Sequence, residues 1–315
     1  MVTAVSLFSG CGGSDTGVHQ LGVNILMAND IIPYARDVYL ANLPATDYVL
    51  KDIRKVEFFP SADLLLGCYP CQGFSQGGLR QADNKLNFLY KEFARALNQI
   101  KPKAFIVENV SGMMRSNYEH LLKDQIETFT TIGYRVKTQV LNAADYGVPQ
   151  IRKRIFIVGI RYDLDTEYVF PQPTHGPKGN RPYITIKEAL SGLPDWPDDK
   201  EYYNLPFHWY YMSRNRRQDW NEPAKTVVSN ARHVLLHPVS PKMEKVQADE
   251  WRFVEDKPAR RFSYRESAIL QGFKKDLAFP ETENASLMNK YKVIGNAVPP
   301  ALFEAVAKQL MPILL

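Results

Sequence analysis

Residues 3–17 read TAVSLFSGCGGSDTG. An apolar run passes into Gly10, Gly12 and Gly13, and a short helical stretch follows, so the segment reads as strand, glycine loop and helix start. Backbone amides in such a loop can approach a ligand closely at a helix N-terminus. The spacing is not a full G-x-G-x-x-G, and the loop alone is a weak signature. Further β runs follow it: VNILMA before Asn29 and Asp30, DYVL before Lys51 and Asp52, then ADLLLG, KAFIVEN, YRVKTQVLN and RIFIVGI. Leu86, Leu89, Phe93, Leu97 and Ile100 recur at helical spacing between them, as do Tyr118, Leu121, Leu122, Ile126 and Phe129. Strands alternating with helices predict an α/β fold with a doubly wound, mostly parallel sheet.

The rhythm breaks near residue 196. WPDDKEYYNLPFHWYYMSRNRRQDWNEPAKTVV is rich in aromatics, arginine and proline and has no clean period. It predicts an inserted, irregular domain over 196–285, with 1–195 plus 286–315 forming the main domain. Within the insertion Ser263 and Glu266 make a capping box that starts a helix, which stops at Gly272. AVPPALFEAVAKQLMPILL reads as a helix whose apolar face returns to the main domain.

The 315 residues can bury a large core. A net charge of +5 permits a polyanionic partner without demanding one. Apolar runs fall far short of the roughly 18 residues that span a bilayer, and no basic-then-apolar leader opens the chain. A cytoplasmic protein with no membrane contact is expected. Three cysteines leave an odd one and suggest reduced thiols.

Asp30 and Asp52 end the second and third strands, where carboxylates can meet a ribose and an adenine edge, or simply cap the helices that follow. Residues 67–78 read GCYPCQGFSQGG, with four glycines in twelve positions after a buried strand. Cys68 and Cys71 could form a redox pair, but that motif normally starts a helix. They could bind zinc, but no second ligand pair completes the set. They could also be two small buried residues. Pro70 fixes the backbone entry to Cys71, which suits a nucleophile presented on a loop. Glu108 and Asn109 end the adjacent strand. Gln150, Arg152 and Arg154 precede a buried strand, with the two arginines on one face.

FSGCGG, PCQGFSQGG, ENV, QIRKR, RRFSYRESAILQGF and YKVIGNAVPP occur in the order found in DNA (cytosine-5) methyltransferases, and the resemblance runs from residue 6 to about 301. It implies the sheet of S-adenosylmethionine-dependent methyltransferases, with residues 196–285 as a target-recognition domain. It implies S-adenosyl-L-methionine as cofactor, double-stranded DNA as substrate, and base flipping, because a cytosine is unreachable inside a duplex. Cys71, after Pro70, would add to ring carbon 6. Glu108 would hold or protonate the ring nitrogen beside the carbonyl, Arg154 would bind the ring oxygen and orient Glu108, Asn109 is a further catalytic candidate, and Arg152 would meet a phosphate. Phe8, Ser9, Gly10, Cys11, Gly12, Gly13, Asp30, Ile31, Asp52, Ile53, Gly67, Asn296 and Val298 would line the cofactor site. The glycine loop from Gln72, including Ser75, would close on the extruded base.

Arg214, Arg216, Arg217 and Arg232 stand among aromatics in the insertion. Arginine paired with guanine is the commonest specific groove contact, so a short GC-containing site is expected; each arginine alone could equally be a phosphate grip. MSRNR…WNEPA…HP also resembles the branch that modifies GGCC, usually in company with a restriction endonuclease. A monomer is expected. A transfer-RNA cytosine methyltransferase and a silent DNA-binding regulator are the alternatives. Departures from the family pattern are Cys68 and Tyr69 before the Pro-Cys pair, Ile31 and Ile32 where an aromatic is usual, and Lys85 in a loop that commonly carries arginine.

Overall fold

The computed structural model describes residues 1–70, 88–114 and 119–315. The expectations for Cys71, Gln72, Ser75, Lys85, Leu86 and Tyr118 lie outside the described residues. Elements run in the order β1 (Thr3–Leu7), α1 (Gly13–His19), β2 (Asn24–Asp30), α2 (Pro33–Asn42), β3 (Asp47–Leu50), β4 (Leu64–Gly67), α3 (Tyr90–Ile100), β5 (Ala104–Val110), α4 (Glu119–Ile132), β6 (Tyr134–Asn142), β7 (Gln150–Ile151) and β8 (Lys153–Arg161). After them come α5 (Ile186–Ala189), β9 (Ala224–Lys225), β10 (Met243–Gln247), β11 (Glu250–Phe253), α6 (Tyr264–Leu270), α7 (Leu287–Asn296), α8 (Pro300–Lys308) and α9 (Met311–Leu314).

Seven strands form one sheet in the order β3-β2-β1-β4-β5-β8-β6. Only β8 runs against its neighbours, antiparallel to both β5 and β6. The two-residue period sorts side chains cleanly between the faces. Leu64 and Leu66 of β4, with Phe156 and Val158 of β8, join the core under α1 and α8. Leu65, Ile155 and Ile157 join the core under α3 and α4. Burial on both faces explains why these strands read as continuous apolar runs.

α3 forms where the period predicts, burying Phe93, Leu97 and Ile100, and it ends at Lys101 in the left-handed conformation (φ 50°) just before Pro102. α6 begins with the expected box: Ser263 Oγ accepts from Glu266 N, and Glu266 accepts from Ser263 N. Gly272 beyond it has φ 94°.

The strand order reverses between β1 and β4, which flank each other while their crossovers leave in opposite directions. Ligands in open α/β sheets bind beyond the carboxyl ends of strands at such a point. Here the glycine loop after β1 and the Cys68-Tyr69-Pro70 exit from β4 lie there side by side.

The irregular segment is tied to the sheet by the QIRKR run. β7 pairs with β9. Buried Gln150 donates to Leu270 O (3.0 Å) and Gln271 Oε1 (2.8 Å) and accepts from Val227 N (2.8 Å). Residues of α6 share one apolar cluster with α2 and α7, while Tyr211, Leu236 and Met243 form a small cluster of their own with Phe207, Trp251 and Phe253 around it.

Candidate functional site

Three strand ends build the site. After β1 the chain turns sharply: Phe8 (φ 58°), Gly10 (φ 55°) and Gly12 (φ 88°) are all left-handed. A phenylalanine there is strained, a conformation that clusters at ligand sites. Ser9 N and Oγ both donate to Asn29 O (3.0 and 3.2 Å), and Gly12 N donates to Ser9 O (3.0 Å). Among the described residues no atom lies within 4 Å of where a Cβ would stand on Gly10. At Gly13 the reverse holds, because a Cβ would lie 2.2 Å from Val298 O. Only glycine lets the first helix and the C-terminal segment meet.

Asp30 fastens this loop to β2. Its Oδ2 accepts from Gly10 N (2.9 Å), and its Oδ1 accepts from Ile31 N (2.7 Å) and Ile32 N (3.0 Å). Burial holds its pKa above the ordinary carboxylate value despite those donors. It is thus a turn cap and a ribose candidate at once, since a carboxylate has about four lone-pair sites. Asp52 caps the turn after β3 through Arg54 N (3.0 Å) and pairs with the Arg54 guanidinium (2.5 Å), which lowers its pKa to about 2. Ile31 is 63% exposed, whereas Ile53 is buried in the core. Gly67 leaves room for the Phe93 ring, which would be 2.5 Å from a Cβ there. Asn296 is exposed at the end of α7, and Val298 is buried against Gly13. Cys11 is buried, directs its thiol to Val293 O (3.3 Å), and has a pKa pushed up to about 12 by burial. It is an inert core thiol.

Sequence reasoning missed the support beneath the loop. Asp15 of α1 is fully buried and accepts from Ser6 Oγ (2.8 Å), Ser14 Oγ (2.7 Å) and Tyr39 OH (2.8 Å). The signal was available as a serine inside a buried strand and a carboxylate in the first turn after the glycines.

At the end of β5, buried Glu108 meets Arg154, with Nε 2.9 Å from Oε1. Arg154 stands opposite Val110 and Glu108 opposite Phe156, so the two form a diagonal pair on one face. Burial raises the Glu108 pKa, and the Arg154 and Arg152 charges pull it back. Asn109 donates to Tyr69 O (3.1 Å). Cys68 is held against Ser14 Oγ (3.8 Å), with its thiol pKa raised by burial and by the Glu108 charge.

Three expectations need correction. Arg152 is 3% exposed and donates to Val227 O (3.0 Å), Gly295 O (2.9 Å) and Ala297 O (3.2 Å), so it joins the irregular segment to the C-terminal run and does not face a phosphate. Arg217 donates to Ser240 O (2.7 Å), Pro238 O (2.8 Å) and Gln218 O (3.2 Å), so its guanidinium is taken up by the protein's own backbone. Arg216 is 8% exposed, donates to Tyr211 O (2.8 Å), and lies 4.8 Å over the Tyr211 ring. Arg214 and Arg232 remain exposed. Tyr69, a departure from the family pattern, is buried among Phe8 and Phe93.

No described helix is long and apolar enough to cross a membrane. No group of three or more His, Cys, Asp or Glu among the described residues could hold a metal ion.

The family model for C-5 cytosine-specific DNA methylases matches residues 2–312. The chain is 37% identical to the type II methyltransferase M.BspRI of Lysinibacillus sphaericus, over 97% of this chain and 80% of that one. It is 36% identical to M.NgoPII of Neisseria gonorrhoeae, over 96% and 93% of the two chains. The crystal structure of Spodoptera frugiperda DNMT2 superposes with a TM-score of 0.73 at 19% identity, covering 98% of this chain and 99% of that one. The strained loop, the Gly10 backbone and the Asp30 carboxylate suit the S-adenosylmethionine on which this fold depends. The chain belongs to the C-5 cytosine-specific DNA methylase family and is an S-adenosylmethionine-dependent DNA cytosine-5 methyltransferase.

Proposed function

We propose that the protein methylates a short GC-containing site in duplex DNA, GGCC being the favoured sequence, as the modification half of a restriction-modification pair. Residues 196–285 serve as its target-reading part. It acts as a cytoplasmic monomer on a cytosine extruded from the helix, since the ring is otherwise inaccessible. The Cys71 sulfur bonds to ring carbon 6 while Glu108 delivers a proton to ring nitrogen 3, so negative charge does not build on the ring. Arg154 holds the ring oxygen and Glu108 in register. S-adenosylmethionine, when bound, supplies an electrophilic methyl group to carbon 5. Solvent water takes the carbon 5 proton, the C–H electrons restore the ring double bond and the C–S electrons leave with the sulfur as thiolate, while Glu108 takes back the nitrogen 3 proton. Asp30 and Asp52 orient ribose and adenine, the Phe8 ring stacks on adenine, and Asn296 closes the pocket. Arg214 and Arg232 contact the DNA.

The observation that carries this reading is the buried Glu108–Arg154 pair (2.9 Å), one strand from the β4 exit that leads through Pro70 to Cys71. Burial shifts Glu108 toward its protonated form, the direction a proton donor needs. The test is incubation with duplex DNA containing 5-fluorocytosine. A denaturant-stable adduct that Cys71→Ser cannot form supports the route, and an adduct with Cys71→Ser sinks it. Bisulfite sequencing of plasmid from an expressing host maps the site, and transfer RNA as competitor separates the two nucleic-acid substrates.

A further inference from the structure

Two neighbouring residues of α4 hold two tyrosines far apart in sequence. Tyr69 donates its hydroxyl to Gln125 Oε1 (2.6 Å), and Tyr90 donates its hydroxyl to Asp124 Oδ2. Both tyrosines and Gln125 are buried, and Gln125 is fully enclosed. Tyr69 is also gripped from other directions: Asn109 Nδ2 donates to its carbonyl (3.1 Å), and its ring lies between Phe8 (6.0 Å) and Phe93 (5.9 Å). Tyr69 precedes Pro70-Cys71, and Tyr90 opens α3 on the far side of the same loop.

Adjacent residues of one helix turn therefore hold Tyr69 and Tyr90. Cys71, the proposed nucleophile, follows Tyr69 by two positions in the sequence. We infer that Gln125 and Asp124 of α4, acting through Tyr69 and Tyr90, are positioning residues that set where the thiol stands relative to Glu108. The inference rests on the assignment of Cys71 as nucleophile. Deleting one partner of a buried hydroxyl–amide bond leaves the other without it, which concentrates the effect of one lost atom.

The test uses the full chain, saturating S-adenosylmethionine and a duplex bearing 5-fluorocytosine at the mapped site, read as the single-turnover rate of covalent adduct formation. Tyr69→Phe deletes only the hydroxyl, and Gln125→Met keeps the side-chain volume. Each should slow adduct formation about tenfold, as misplacement of a reacting group does, with cofactor Kd held within about twofold. The double variant should be no slower than the slower single variant, because both remove one bond. Tyr90→Phe should show a smaller loss of the same kind. Tyr69→Phe at wild-type rate, rate losses that multiply in the double variant, or a rate loss matched by an equal loss of cofactor affinity would each overturn the clamp. Cys71→Ser run in parallel separates the two ideas. An adduct with it ends the thiol assignment, whereas no adduct with it and a full rate with Tyr69→Phe ends the clamp alone.

Discussion

Arg154 reaches Glu108 because β8 runs against β5, which brings the start of β8 to the carboxyl end of its neighbour and leaves Nε 2.9 Å from Oε1. Were β8 parallel, the arginine would stand at the opposite edge of the sheet. Burial raises the Glu108 pKa and the guanidinium opposes that rise. If the protonated carboxyl serves nitrogen 3, its contribution is full below that pKa and fades as pH climbs through it. Glu108→Gln should lower the adduct-forming rate by about 10²–10⁴, the usual range for a proton-transfer group. Arg154→Gln removes the opposing charge, so the alkaline limb of kcat/KM should move to higher pH while its maximum falls. A limb that stays put or moves down contradicts the pairing.

Arg152 distinguishes a structural guanidinium from a phosphate ligand. Arg152→Met removes the guanidinium donor from the carbonyls of Val227 and Gly295, while Ala297 O keeps its bond from Gln271 Nε2. Denaturant unfolding should register a loss of about 2–4 kcal/mol. The slope of log K for DNA against log salt should not change, whereas loss of one phosphate contact would reduce it by about 0.9.

Arg214 and Arg217 should separate in the same manner. Arg214 is exposed and 5.9 Å over the Tyr210 ring, while Arg217 is taken by three backbone carbonyls. Arg214→Ala is expected to weaken cognate DNA binding by about 1–3 kcal/mol with the melting temperature unchanged. Arg217→Ala is expected to lower the melting temperature. Filter binding and calorimetry on both variants give the answer, and a reversed pattern refutes the assignment.

Gly13 has no room to grow, since the atom 2.2 Å from its missing Cβ is a backbone oxygen of Val298. Gly13→Ala should weaken S-adenosylmethionine binding more than about tenfold by titration calorimetry and destabilise the fold by roughly 1–3 kcal/mol, the range for overpacking. Gly10→Ala meets no atom of the described residues but is strained by φ 55°, so it should cost less.

Asp52 supplies a pH dependence of opposite sign to that of Glu108. Its pKa is lowered to about 2 by Arg54, so the stabilisation is present above the ordinary carboxylate value of 3.8 and lost as pH falls toward 2. The Arg54 side chain is 60% exposed, and solvent screening keeps the effect small. Asp52→Asn should flatten that acid-side fall in melting temperature, and an unchanged slope would count against it.

The strand–glycine–helix opening, the alternation of strands with helices and the Ser263–Glu266 box were legible because each rests on local chemistry: a period, a φ requirement, a cap. Glu108 and Arg154 were legible as a pair through the family resemblance. Arg152 and Arg217 were not. Periodicity tells which face a long side chain leaves from, but its acceptors here are carbonyls at positions 227, 295 and 297 or 238 and 240, and tertiary contact alone decides them. Asp15 stayed hidden for a similar reason, since its three hydroxyl donors come from a strand, its own helix and α2.

The tight approach of Gly13 to Val298 has a bearing on the order of folding, because it joins two positions far apart in the sequence. Closing so long a loop is slow beside the pairing of neighbouring strands. The glycine turn after β1 therefore reaches its final shape late, when the segment around Val298 docks on it.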